Sequence, residues 1–186
     1  MKIPFNRLLA VTAAILACVA AAPFTCSTSN AAPSGASSGI PAAAAADAPL
    51  RSELTLAQNL HADAEDANAR RVPLLLVFTT RNCPYCARAR RQYLGPISTE
   101  PAYRGKVIVR EIDAGSSAAL TDFTGHPASH AALARGYKVT RVPTLIVVDG
   151  EGKVLADPVI GLLGSDFYGA YIDNAIDQGI ANLRAR

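Results

Sequence analysis

A chain of 186 residues, half of them hydrophobic, can bury a core of ordinary size and has room for one globular domain rather than two once any targeting segment is set aside. Its 18 basic and 15 acidic residues give a formal net charge of +3. Residues 1–31 hold two of the bases and no acid, so the remainder sets 16 bases against 15 acids, a balance that gives no reason to expect nucleic acid as a partner.

The chain opens on MKIPFNRLLAVTAAILACVAAAP. Lys2 and Arg7 precede an apolar run from Leu8 to Ala22, the short hydrophobic region of a secretory signal and too short for a membrane span. Export is therefore expected, with residues 1–31 as the signal. Pro23 blocks cleavage after the alanines at 20–22, and Ser29 and Ala31 offer a later site. A rival reading takes ILAC (15–18) as a lipoprotein signal that lipidates Cys18 and tethers the domain to a membrane face, although its leucine fits that motif poorly. Cys26 leaves with the signal; if retained, it is an odd thiol able to pair between chains. Residues 32–50 are almost wholly Ala, Ser, Gly and Pro, which cannot bury enough apolar surface to offset their ordering entropy; they read as a flexible linker. The folded domain is expected over 51–186.

Ser52 is placed to cap a helix through ELTLAQNLHADAEDANAR, with Leu56, Leu60 and Ala64 four apart, ending before Pro73. LLLVFTT (74–80) is a continuous apolar run of strand length, buried on both faces. Two cysteines follow it in RNCPYCARAR (81–90), where a helix is expected until Gly95-Pro96 stops it. KVIVREI (106–112) reads as a second strand ending at Asp113. Residues 114–127 read as an inserted loop before a short helix over 128–135. TLIVVD (144–149), the turn DGEG and KVLADPVI (153–160) form a hairpin. Ser165 opens a last helix with Phe167, Tyr171, Ala175 and then Ile172, Ile176, Ile180, Leu183 at helical spacing. The order helix, strand, helix, strand, helix, strand, strand, helix implies an α/β fold whose mixed sheet carries helices on both faces.

The chemistry-bearing motif is the pair Cys83 and Cys86. A structural zinc site needs four ligands, but the folded part holds no other cysteine and the chain's histidines are His61, His126 and His130. Covalent haem needs C-x-x-C-H, and Ala87 stands where that histidine belongs. Two-coordinate copper transfer needs only the pair and stays open. A plain disulfide is possible in an exported protein, yet so small a loop contributes little chain entropy. A redox role uses the placement directly, because a thiol at the first turn of a helix meets unpaired N–H groups that favour the thiolate. Cys83, near Arg81, is then the attacking thiolate, and Cys86, one turn on, the resolving thiol.

RNCPYCARAR after a buried strand, followed some fifty residues later by RVPTLIVVDGEGKVL (141–155), resembles the thioredoxin fold. The resemblance implies that Pro143 is a cis-proline packed beside the cysteines and that the backbone of Val142 pairs with an extended substrate peptide. Pro84 and Tyr85, inside the motif, read as part of the substrate surface, with covering of the helix start as the alternative for the Tyr85 ring. Gly161 stands where such proteins carry a glycine after the hairpin. Pro84-Tyr85 is the glutaredoxin dipeptide, but no Gly-Gly-Asp stretch to hold glutathione follows the hairpin, so protein thiols or disulfides are the partners implied. Thioredoxins carry Trp just before the first cysteine and a buried Asp six residues before it; here Asn82 and Val77 stand there. The missing carboxylate removes the usual proton acceptor for Cys86. Glu111 and Asp113, at the end of a neighbouring strand, read as solvent-facing. The whole pattern is similar to exported, periplasmic thioredoxin-like proteins.

Arg88, Arg90 and Arg91 read as a solvated helix face. His126 and His130 are four apart, but Pro127 argues against one helix through both, and two ligands do not complete a metal site. The expectation is a monomeric, exported thiol-disulfide oxidoreductase without a dissociable cofactor or metal. As a reductant it would draw electrons from a membrane donor. The alternatives are a disulfide-forming oxidase, a copper carrier using the same two sulfurs, and a redox-inert binding domain on a tether.

Overall fold

The computed structural model describes residues 54–162, 164 and 166–186. The signal, the linker, Cys18, Cys26, Ser52 and Ser165 lie outside them. In chain order the elements are α1 (Leu60–Arg70), β1 (Leu74–Thr79), α2 (Pro84–Ala89), a π-helical turn (Arg90–Leu94), α3 (Gly95–Thr99), α4 (Pro101–Arg104), β2 (Ile108–Asp113), β3 (Ala119–Thr121), β4 (Pro127–Ser129), α5 (His130–Gly136), β5 (Thr144–Val148), β6 (Val159–Ile160) and α6 (Tyr168–Arg184). The strands β2-β1-β5-β6 form one sheet, with β1 parallel to β2 and antiparallel to β5, and β6 antiparallel to β5.

Every residue of β1 is buried, and alternate side chains enter opposite layers. Leu75 and Val77, with Val109, Leu145 and Val147, pack against Ala89, Leu94, Ile172 and Ile176 of the helices on one face. Leu74, Leu76 and Phe78, with Ile108, Ile112 and Ile146, pack against Leu60, Ala67 and Ala134 on the other. The expected α/β thioredoxin fold, a mixed sheet flanked by helices on both faces, is the architecture found.

Four local expectations are corrected. The first helix starts at Leu60 rather than after Ser52, where the Asn59 side chain accepts the Ala62 N–H at 3.0 Å. Residues 54–59 are not helical: around Leu56 the chain lies along β2, where the Glu111 N–H donates to the Thr55 carbonyl and the Ala57 N–H to the Glu111 carbonyl, each at 2.9 Å, and Asn59 bridges Thr121 of β3. Satisfying those edge groups outweighs the helical spacing of Leu56 with Leu60. Gly95-Pro96 does not stop the second helix. The Gly95 N–H reaches back five residues to the Arg90 carbonyl, and this wider turn lets the chain run on through a proline that has no N–H to give.

The segment 114–127 is not a plain loop, because β3 pairs with β4 as a small separate hairpin, and the helix after it begins at His130 under a Ser129 cap. The β5–β6 hairpin forms, but residues 153–160 are not one strand: Val154 bridges Val148, and regular pairing resumes only at Val159, past Pro158.

Candidate active site

The parallel pairing of β1 with β2 delivers the chain to the end of the sheet at Thr79, and the turn over residues 80–82 leads straight into α2. Cys83 is the N-cap of that helix, in extended backbone geometry, with Pro84 at its first position, where a missing N–H costs nothing. The Cys83 Sγ accepts the Cys86 N–H at 3.0 Å, so the sulfur itself caps the helix. Cys83 and Cys86 are joined as a disulfide with Cα atoms 5.2 Å apart. Cys86 is completely buried, Cys83 half-buried, and Tyr85 between them 63% exposed.

A second strand end meets the pair from the other side. The Val142-Pro143 peptide bond is cis, and the Val142 carbonyl lies 4.0 Å from the Cys83 Sγ. Pro143 is buried and Val142 half-buried. Regular pairing of β5 begins only at Thr144, so Val142 sits beyond the ladder. Gly161 closes this corner: its N–H donates to the Pro143 carbonyl at 2.7 Å, with φ at +76°, which a side chain would make costly. Cys83, Cys86, Val142 and Pro143 are thereby brought together, and Ile160, 48% exposed and paired with Thr144, adds apolar surface next to them.

The arginines divide. Arg88 and Arg91 are exposed, as a solvated face requires, but Arg90 turns inward. Its Nε donates to Glu111 Oε1 at 2.7 Å and another guanidinium N–H donates to Thr79 Oγ1 at 2.9 Å, while the Thr79 hydroxyl donates to the same Glu111 oxygen at 2.5 Å. Glu111 is only 9% exposed and does not face solvent as expected, because it continues the inward set Val107, Val109 of its strand. No local signal separated it from Arg110, because apolar residues on both faces of this strand are buried. Asp113, half-buried, pairs with Arg81 at 3.3 Å.

The two histidines four apart do not share a helix. His126 is exposed in the β3–β4 turn beside the Thr124 hydroxyl, whereas His130 is buried at the start of α5, where its Nδ1 accepts the Asp113 N–H at 3.3 Å. Among the described residues no group of three or more His, Cys, Asp or Glu converges.

A half-buried sulfur backed by a fully buried one, at a helix start and against a cis-proline, is the arrangement of a dithiol–disulfide centre on a thioredoxin fold. A family model described as a thioredoxin-like domain matches residues 60–176, and the chain belongs to that family. Among solved structures it is similar to a thioredoxin-fold protein from Helicobacter pylori, with 18% identity, a TM-score of 0.48, and 74% of this chain and 94% of that one covered. It is similar also to the periplasmic thioredoxin SoxS from Paracoccus pantotrophus, at 21% identity and a TM-score of 0.41 over 57% and 97% of the two chains. The DsbH oxidoreductase gives 22% identity and 0.43 over 68% and 88%. No curated protein matches the chain.

Proposed function

We propose that the protein is an exported thiol-disulfide oxidoreductase that reduces protein disulfides through Cys83 and Cys86. The observation that carries this is the unequal burial of two bonded sulfurs at one helix start: Cys83 can be reached by a partner and Cys86 cannot. In the reduced pair the Cys83 thiolate attacks a partner disulfide, and the backbone N–H that now caps the helix on its sulfur favours the charged form. Cys86 then displaces the partner's sulfur, and two electrons have passed to the partner. Val142 offers an unpaired backbone segment to an extended peptide, and Tyr85, Pro84 and Ile160 offer apolar contact, which suits a protein partner.

Reduction is the direction favoured, because the chain between α3 and β5 carries a small hairpin and short helices rather than the large helical insert of disulfide-forming oxidases. Export rests on the charged-then-apolar N-terminus; among the described residues no helix is long and apolar enough to cross a membrane. Electrons would then come from a membrane donor.

The test is an equilibrium redox titration of the purified protein with Cys83→Ser as control and copper assayed on the same sample. A reversible two-electron couple near the thioredoxin end of the scale, about −270 mV, is expected. A couple near about −120 mV would make the protein an oxidase. A pair that does not cycle and retains copper would replace the enzyme with a carrier. Cys86→Ser should accumulate the mixed disulfide with a partner, detectable by mass, while Cys83→Ser should form none.

A further inference from the structure

Resolution of the mixed disulfide, a step that rests on the proposed oxidoreductase function, begins with a thiol that must lose a proton. The Cys86 S–H ionises, the Cys83–Cys86 S–S bond forms, the bond from Cys83 to the partner breaks, and the electron pair leaves on the partner's sulfur, which is protonated from solvent. Cys86 is 0% exposed, so its proton has no direct contact with water. Val77, in the strand on the α2 side of the sheet, cannot take it.

The buried titratable side chains among the described residues are Glu111, His130, Asp149 and Tyr168. Asp149 follows the far end of β5, since β5 runs antiparallel to β1 and the cysteines follow the last residue of β1. His130 commits its Nδ1 to the Asp113 amide at the start of α5, the helix whose Ala134 packs on the opposite face. Burial pushes the Tyr168 phenol up, so it stays protonated. Glu111 remains. It is the cross-strand neighbour of Val77, and it is tied to Arg90, which lies four residues after Cys86 and so one turn along the same side of the helix. The Arg90 and Thr79 donors converge on Oε1; Oε2 carries none of those bonds. The same carboxylate lines an open groove of about 330 Å³ with Leu54, Leu56, Arg81 and Asp113, which gives a proton a way on to water.

We propose that Glu111, held in place by Arg90 and Thr79, receives the Cys86 proton in the resolving step and passes it to the groove. The carboxylate does from β2 what β1, with Val77, cannot. The network holds the carboxylate through Oε1, and Oε2 lies outside those bonds.

Reaction of the reduced protein with Ellman's reagent separates the two steps, because Cys83 releases one coloured thiolate on attack and Cys86 releases the second on resolution. Cys86→Ser identifies the first phase. Glu111→Gln, whose amide oxygen can still accept from Arg90 and Thr79, is expected to leave the first phase unchanged and slow the second by about a hundredfold near neutral pH. The gap should close towards about pH 8.5, where a thiol ionises unaided. Glu111→Asp should recover most of the rate. A second phase in Glu111→Gln that matches the wild type, or a slowing of both phases alike, overturns the assignment. Should Glu111→Gln not fold, the wild-type profile decides: levelling of the second phase below about pH 8.5 supports the relay, and a tenfold rise per unit up to that pH overturns it. A wild type that releases only one equivalent overturns the oxidoreductase function itself, and the relay with it.

Discussion

At His130 a single buried imidazole joins two elements. Its Nδ1 accepts the Asp113 N–H at the end of β2, which requires an unprotonated nitrogen there. Burial holds its pKa below the ordinary histidine value, while the carboxylates of Asp113 and Glu111 and the Ala57 carbonyl pull the other way with less effect. The sign of the pH dependence follows. Above about pH 6.5 neither folded nor unfolded chain carries the proton; below it the unfolded chain takes up a proton that the folded one resists, so stability is lost as pH falls through that range. Thermal unfolding between about pH 7.5 and 5 should show a midpoint that drops further in the wild type than in His130→Asn, whose amide oxygen keeps an acceptor without titrating. Parallel curves would mean that His130 does not carry the effect.

Among the elements, α6 tests how closely a helix can approach the sheet. It brings Ile172 and Ile176 onto Leu145 and Val147, and between the turns stands Gly179, where an added Cβ would run into Val147 Cγ1. Glycine in a helix interior costs up to about 1 kcal/mol relative to alanine, so on propensity alone Gly179→Ala should stabilise. Val147 is β-branched and buried, and it has little room to yield. Overpacking of this kind costs about 1–3 kcal/mol, which exceeds the propensity gain. Denaturant unfolding of Gly179→Ala should therefore show a net loss of stability, and a gain would mean that the helix can shift off the sheet. The same balance explains the π-helical turn after α2. A proline that propensity treats as a stop is carried because Leu94 and Ile97 on either side of it must both reach the core.

Across the whole molecule, β1 is shared by two hydrophobic layers, and this couples them. Leu75 and Leu76 are adjacent, both 0% exposed, and point into opposite layers. Leu75→Ala and Leu76→Ala should each cost about 2–5 kcal/mol, through lost burial and an unfilled cavity. Because both layers rest on one strand, each variant should unfold in a single transition reported identically by circular dichroism and tyrosine fluorescence. Separate transitions for the two probes would show that one layer survives without the other.

The strand, the helix after it and the place of the two cysteines at the helix start were legible in LLLVFTTRNCPYC, because a fully apolar run, a proline at the first helical position and two cysteines one turn apart are constraints carried by neighbours in the chain. VIVREI did not mark Glu111 as inward, because Val107 and Val109 on one face and Ile108 and Ile112 on the other are all buried, and the charge itself argued for solvent. What adjacency does not carry, only the tertiary structure decided. Residues 54–59 are not helical because an edge strand formed some fifty residues later needs partners, and Arg90 leaves the solvated run because Glu111 and Thr79 wait on two other strands. Cys83 meets Val142 because the sheet order places the ends of β1 and β5 together. Local propensity is set by the next few residues, whereas a buried donor, acceptor or charge is settled by whichever group the fold brings within reach.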